Sequence, residues 1–345
     1  MTRTVDTRFF VLRDGAIVTE LYAIGAPSLR MNSEGDIKIS LAGDFLENPA
    51  VDWLNDEVQP VLLIDGEETP LGILSPATVR HNTDETTKSV HVEMYDRCWK
   101  VKNSLTEDHF YIKAGTNYIT AIEQQLVAAG ISLVQSTPTA ETLDVARENA
   151  DLGISRLTII NQLLSEINYN PLWFNEQGLA VLEPASVPAA ENIDHTLDGE
   201  DVRSLLLPAT TSEMDIYDAP NVFICICSSP DRSTTYTARA ENTNPQSPLS
   251  IPRRGRRIVK VTKVNNMASS AALANYAKRL RNESMMRSEV ITVETGLLPG
   301  FGPFDVTAIN YGDLSGVCLE TAWTMELTTG GAMQHTLRKV VYAFE

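Results

Sequence analysis

The sequence predicts a β-rich α+β protein in which two antiparallel, barrel-like β domains flank a small α+β domain. Three observations carry that expectation. Near both ends apolar and polar residues alternate with the period of a half-buried strand: Ile37, Ile39 and Leu41 against Lys38, Ser40 and Ala42, then Trp323, Met325 and Leu327 against Thr324 and Glu326. Asp65-Gly66, set between Val61–Ile64 and Leu71-Gly72-Ile73-Leu74, is a hairpin signal, because the favoured tight turn needs positive φ at both central positions. From about Trp99 to Val187 the apolar period changes to that of a helix packed on one side.

In order, residues 1–98 read as strands, with Val90, Val92 and Met94 alternating with His91, Glu93 and Tyr95 in a sheet curving toward a barrel. Phe45–Asp56 allows a short helix or an extended corner anchored by Trp53. Residues 99–188 form the α+β domain. Asn117 can cap a helix with Ile119, Ile122 and Leu126 on its inner face, and Gly130 supplies a left-handed stop. Ser155 caps a second helix carrying Leu157, Ile160, Leu164 and Ile167, which Asn170-Pro171 ends. Leu172-Trp173-Phe174 then pairs with Leu179-Ala180-Val181 across a turn containing Gly178, and Glu183–Ala190, with Pro184 and Pro188, is a linker. Residues 189–345 return to strands, with a helix over 270–283 that turns Leu273, Tyr276, Ala277 and Leu280 inward. After Gly330-Gly331 the chain pairs back through Met333 to Phe344. The loop 228–252, rich in Pro, Ser, Asn and Thr, is expected to be mobile in a lone monomer and to be ordered by a neighbouring chain.

At 345 residues the chain suits two to four domains of roughly 80–150 residues each. Hydrophobic residues at 43% and charged ones at 21% are globular values. No run of apolar residues is long enough to span a membrane, and Met1–Gly15 carries Arg3, Asp6, Arg8, Arg13 and Asp14 where a secretory leader would be apolar, so synthesis and folding in the cytoplasm are expected. The net charge of -17, from 28 basic and 45 acidic side chains, argues against gripping nucleic acid by neutralising phosphates. It suits a surface past which DNA slides, and equally an acidic surface that keeps the protein soluble. Cys225 and Cys227, two apart on a strand, point to one face and diverge from bridge geometry; with no second ligand pair for zinc they read as buried apolar thiols, as do Cys98 and Cys318.

Several motifs occur in a collinear order over nearly the whole chain: Asp52-Trp53-Leu54-Asn55-Asp56 to Pro60, Leu63-Ile64-Asp65-Gly66 and Pro70-Leu71-Gly72; then Leu163-Leu164 to Asn168-Tyr169, Leu172-Trp173-Phe174 and Gly178; then Asn244-Pro245-Gln246-Ser247-Pro248, Gly255-Arg256-Arg257 and Gly330-Gly331-Ala332-Met333. This order is similar to that of the baseplate hub and minor tail hub proteins of tailed phages, a family also used by phage-tail-like contractile injection particles. One position departs from it: in Pro299-Gly300-Phe301-Gly302-Pro303-Phe304-Asp305, Phe304 stands where many relatives have a glycine, which puts that turn in doubt. The resemblance implies a virion protein of the tail tip or baseplate, made in the host cytoplasm. It implies a homotrimer in which two barrel domains per subunit, each resembling a tail-tube subunit, form a pseudo-sixfold ring around the DNA channel. The implied partners are further copies of the chain, a tail tube or distal tail protein, a spike or central fibre protein, a tape-measure protein, and passing DNA held without sequence specificity. The modest length, with no long receptor-binding extension, favours a contractile or compact tail.

The sharpest local charge is Arg253-Arg254-Gly255-Arg256-Arg257, followed by Lys260 and Lys263. Guanidinium forks recognise phosphates and carboxylates alike, so the cluster reads as a partner surface, together with Pro245 and Pro248. An inter-subunit patch against this acidic chain is favoured over DNA or a tape-measure terminus, and no aromatic interleaves the arginines as in a single-strand platform. His91-x-Glu93 resembles the start of a zinc deaminase, but Pro-Cys-x-x-Cys is absent. His81, His109, His195 and His335 are scattered without metal-ligand spacing, and Glu107-Asp108-His109 reads as a solvated turn. No catalytic residue, cofactor or metal is predicted. Paired carboxylates among 45 acids leave one enzymatic alternative, a tail-associated cell-wall hydrolase. A secreted surface β protein fits less well, for want of a leader and disulfides.

Overall fold

Two Asp-Gly turns start the fold. Asp14-Gly15 (φ 52° and 79°) joins β1 (Val5–Arg13) to β2 (Ala16–Leu21), and Asp65-Gly66 (φ 51° and 88°) joins β5 (Glu57–Ile64) to β6 (Glu67–Pro70). Positive φ at both central residues matches the twist of the flanking strands, and aspartate and glycine reach it at least cost. Between them run β3 (Ala23–Asn32) and β4 (Ile39–Leu46), and after them β7 (Leu74–Thr83) and β8 (Lys88–Asp96). The computed structural model describes residues 3–83, 87–149, 152–213, 219–228, 235–286 and 289–340.

The middle of the chain holds α1 (Cys98–Asn103), β9 (Phe110–Ile112), α2 (Tyr118–Ala128), β10 (Val134–Ser136), β11 (Arg147–Asn149), α3 (Arg156–Glu166), β12 (Trp173–Phe174) and β13 (Ala180–Leu182). Asn117 caps α2 as its sequence position suggests, its Oδ1 accepting from Ile119 N at 2.9 Å, and Gly130 follows the helix with φ 80°. Ser155 stands at the start of α3 but donates instead to Lys102 O at 2.8 Å. Then come β14 (His195–Asp198), β15 (Leu206–Glu213), β16 (Val222–Cys227), β17 (Tyr236–Glu241), α4 (Ile251–Arg254), β18 (Val259–Val264), α5 (Ser270–Met286), β19 (Val290–Gly296), β20 (Val306–Tyr311), β21 (Leu314–Glu326) and β22 (Ala332–Lys339).

Strands from both ends of the chain join one 14-stranded sheet in the order β15-β19-β22-β21-β3-β4-β8-β7-β5-β1-β2, with β20 and β14 branching from β21, and β6 from β5. The junction is β3 against β21, antiparallel, with Trp323 opposite Met31 and Met325 opposite Leu29. One apolar core runs across that junction, from Phe9, Leu29, Phe45 and Leu62 to Ile291, Trp323, Met333 and Leu337. The β-rich α+β class therefore stands. The two barrel-like segments do not appear as closed barrels: among the described residues no sheet closes on itself, because the strands that would end each barrel pair with each other.

A second core brings α1, α2 and α3 together with α5 and one face of the sheet β17-β16-β18, burying Tyr118, Ile160 and Leu164 with Cys225, Cys227, Leu273 and Ala277. Packing thus groups residues 98–182 with 222–286, across the stretch of chain that carries β14 and β15. All four cysteines are buried and unbridged. The helix expected over 270–283 runs on to Met286, and Tyr276 and Leu280 are partly buried against its core. Of Phe45–Asp56, the first two residues end β4 and the rest is a corner of two turns, at 49–50 and 53–55, the second closed by Asp56 N donating to Asp52 O at 2.9 Å, with Trp53 against the core. The part of the expected return strand beyond Val340 lies outside the described residues.

Candidate functional site

The large sheet has two unlike faces. Core residues occupy one, and on the other the register lays out polar rows across six strands: Glu294, Gln334, Thr324, Arg30, Ser40 and Tyr95 stand side by side. The next row is Glu326, Ser28, Ala42, Glu93 and Thr78, and beyond it Ile24, Asp44, His91 and Arg80. This polar face crosses the β3–β21 junction without a break. Its carboxylates Glu294, Glu326, Glu93 and Asp44 outnumber the guanidiniums Arg30 and Arg80. His91 and Glu93, paired in the sequence motif, are two residues of this face; His91 Nδ1 lies 2.9 Å from Asp44 Oδ1.

Among the described residues the main path of the sheet ends in two open edges, β2 and β15, and its branches end in β14 and β6. Around β2 the exposed side chains are apolar: Ile17 (61% exposed), Val18, Tyr22 (63%), Ile24 and Leu46. Near β15 Val202 and Leu207 are exposed. Unpaired strand edges flanked by exposed apolar groups are the usual physical mark of association. The β2 patch was not legible in the sequence, because Ile17 and Val18 read as ordinary strand residues until the edge is known.

The arginine cluster forms one corner. Ser250 Oγ accepts from Arg253 N at 3.4 Å at the start of α4, and Gly255 (φ 63°) turns the chain into β18. Arg253 and Arg256 are exposed, while Arg254 is partly buried and donates to Ala219 O at 3.4 Å. Arg257 pairs with Glu241, which Arg239 also reaches at 2.6 Å. Pro245 is exposed and Pro248 partly buried on a turn held by buried amides: Asn242 Nδ2 donates to Ser247 Oγ at 2.9 Å and Asn244 Oδ1 accepts from Gln246 N at 2.8 Å. Asn221, fully buried, ties turn and cluster together through Leu249 O (3.3 Å), Arg256 O (3.0 Å) and Ile258 N (2.8 Å). The stretch from Tyr236 to Pro252 is therefore ordered within the chain itself; the rest of the expected mobile loop, 229–234, lies outside the described residues.

Two histidine–carboxylate pairs lie close together in the C-terminal half. His335 and Glu320 are both fully buried, 3.3 Å apart, with His335 Nε2 3.1 Å from Thr295 Oγ1; burial pushes the Glu320 carboxyl up and the hydrogen bond to His335 opposes that shift. Phe301 stacks on His195 at 3.8 Å, and His195 Nε2 lies 2.9 Å from Asp305 Oδ2. The His335–Glu320 pair is closed off from solvent, whereas His195 and Asp305 are partly exposed. Glu107, Asp108 and His109 are exposed, as a solvated turn would be. Among the described residues no group of His, Cys, Asp and Glu is arranged to hold a metal ion. A cleft of about 660 Å³ lies between α5, the linker at 184–188 and β21, with Arg279, Arg281 and Arg338 in its wall.

No family model matches the sequence, and no curated protein matches it. Solved structures do match. The tail protein from Neisseria meningitidis MC58 superposes with a TM-score of 0.67 at 12% identity, covering 97% of each chain. The chain has the fold of phage tail proteins. The 43 kDa tail protein of prophage MuSo2 from Shewanella oneidensis matches with a TM-score of 0.65 at 11% identity over 96% of this chain and 98% of its own. The prophage tail protein gp18 from Listeria monocytogenes gives 0.59 at 14% identity over 96% and 94%. At such identities the tail-protein fold is shared while the surface residues are this chain's own.

Proposed function

We propose that the protein is a structural hub of a phage or phage-derived tail tip, and that three copies close into a ring joining the tail tube to a spike or fibre around the DNA channel. The observation that carries this reading is the polar face running unbroken across two joined half-sheets. Each copy offers two tube-like halves, so three copies give a pseudo-sixfold wall, and the open edges β2 and β15 at opposite ends of one sheet are what a head-to-tail closed ring requires. In this arrangement β1–β8 contribute one half, β14, β15 and β19–β22 the other, and the second core, residues 98–182 with 222–286, lies outside the channel. The likeness to tail proteins over nearly the whole chain supports the same reading.

With the polar face toward the lumen, hydroxyls and amides pave the wall and an excess of carboxylates repels the phosphate backbone, so DNA passes without being held. The tube or distal tail protein, the spike or fibre and the tape-measure protein are the partners. Arg253, Arg254, Arg256 and Arg257, with Pro245 and Pro248, face one of them or a neighbouring copy. The role is positional and needs no cofactor.

Native mass measurement of the purified chain with class-averaged images tests the ring: a threefold species with a central hole is expected. A persistent monomer that releases fragments from peptidoglycan would replace the hub with a hydrolase. Glu93→Lys with Glu326→Lys, assembled into particles, is expected to slow DNA ejection several-fold; unchanged ejection would remove this face from the lumen.

A further inference from the structure

The small sheet β17-β16-β18 has an open edge of its own, and it lies beside the arginine cluster. β18 pairs only with β16, in parallel, among the described residues. Val222 N donates to Ile258 O at 3.1 Å and Ser228 N to Val264 O at 3.3 Å. In a parallel ladder alternate residues make the bonds, so positions 258, 260, 262 and 264 serve β16. The N–H and C=O groups of Val259, Val261 and Lys263 therefore point away from the sheet.

The same residues carry the exposed side chains. Val259 and Val261 are 52% and 53% exposed on the face of the sheet opposite α5, beside Ile224, which stands across from Val261. From Ile251 to Asn266 the sequence holds six basic residues and no acid (Arg253, Arg254, Arg256, Arg257, Lys260 and Lys263), in a chain whose net charge is -17. A strand edge with unpaired backbone groups, two bare valines and cations on both faces matches one chemistry: an extended polypeptide whose carboxylates alternate with apolar side chains.

We infer that β18 is a docking edge that captures an extended acidic segment of a partner protein as an added strand. The main-chain groups of Val259, Val261 and Lys263 bind its backbone, the two valines receive its apolar side chains, and Lys260, Lys263 and Arg256 receive its carboxylates. DNA could answer the cations, but it would leave the outward N–H groups and the valines without partners, so a peptide fits better. The inference rests on reading the arginine cluster as a partner surface. It is independent of ring closure, which uses β2 and β15.

The test uses the intact protein and a fluorescein-labelled ten-residue peptide alternating valine and glutamate, against its valine–lysine counterpart and a labelled 20-base-pair duplex, read by anisotropy. The acidic peptide is expected to bind, more weakly as salt rises, and the basic one not to bind. Val261→Pro removes an outward N–H without touching the β16 ladder, a place where an edge strand tolerates proline, and is expected to weaken binding at least tenfold. Lys260→Glu with Lys263→Glu leaves the backbone unaltered and is expected to abolish binding of the acidic peptide. Binding that survives both variants, or duplex DNA captured in place of the peptide, would overturn the inference. Native mass measured on the same variants separates its failure from failure of the ring.

Discussion

Phe304 stands where the resemblance leads one to expect glycine, and its backbone has φ 71°, in the left-handed region that side chains resist. The residue keeps that strain because its ring has work to do: the Lys38 ammonium lies 5.5 Å from the ring centroid. Lys38 also donates to Ser33 O at 2.8 Å and Gly35 O at 2.6 Å, and burial lowers its pKa. A desolvated ammonium over an aromatic face contributes roughly 0.5–2 kcal/mol, and the half-buried ring adds about 1 kcal/mol of apolar burial. Left-handed backbone with a Cβ costs roughly 1–2 kcal/mol. Phe304→Ala loses the ring and keeps the strain, so it should destabilise by about 1.5–3 kcal/mol. Phe304→Gly loses the ring and sheds the strain, and should come out about 1 kcal/mol more stable than the alanine variant. That reverses the usual order, in which alanine beats glycine through chain entropy. Urea titration of the three proteins decides it. An alanine variant as stable as the glycine one would refute the claim of strain, and a glycine variant more stable than the parent would show that the ring contributes little.

Gly330 and Gly331 should differ sharply. A Cβ on Gly331 would sit 2.0 Å from Glu326 O, so Gly331→Ala must open the β21–β22 turn and should cost roughly 3 kcal/mol or more, whereas Gly330 (φ 76°) has open space and its alanine variant should cost about 1 kcal/mol; equal losses in urea titration would disprove the contact. Glu320→Ala leaves His335 Nδ1 buried without its hydrogen-bond partner and is expected to cost about 1–3 kcal/mol, with Glu320→Gln milder; thermal unfolding of both measures it. Asp96 is fully buried and its pKa is raised to about 6 by desolvation, against hydrogen bonds from Lys38, Ile39 and Cys98 backbone N–H groups. The folded state then binds more protons than the unfolded one between the ordinary value and about 6, so this group's contribution to stability falls as pH rises through that window, on the order of 3 kcal/mol. Asp96→Asn should remove that slope. Opposite slopes from carboxylates such as Asp56, held low by its hydrogen bond from Arg13, are common to both proteins and cancel in the comparison.

Local signals were legible wherever a residue's neighbours in sequence decide its conformation. Asp65-Gly66 makes its turn, Asn117 caps its helix, and Trp323, Met325 and Leu327 face the core because alternation is a property of one strand alone. Pairing was not legible, and it changed the reading. Residues more than 280 apart meet where β3 joins β21, which turns two expected barrels into one open sheet. Inside β21 the register shifts between Glu320 and Ala322: Cys318 and Glu320 face inward before the bulge, Trp323 and Met325 after it. An inserted residue swaps the faces of a strand, so an alternation read from Thr321 onward could not disclose the buried Glu320–His335 pair. The arginine cluster shows the same division. Its charge was plain in the sequence, but whether Val259 and Val261 are core or edge depends on which side of β18 finds a partner. That parity is set by two hydrogen bonds to β16, from Val222 and Ser228, thirty-seven residues upstream in register. The charge tells what kind of partner the corner would attract, and the free side of the strand tells how it would be held; only the two together distinguish a docking edge from a solvated basic loop.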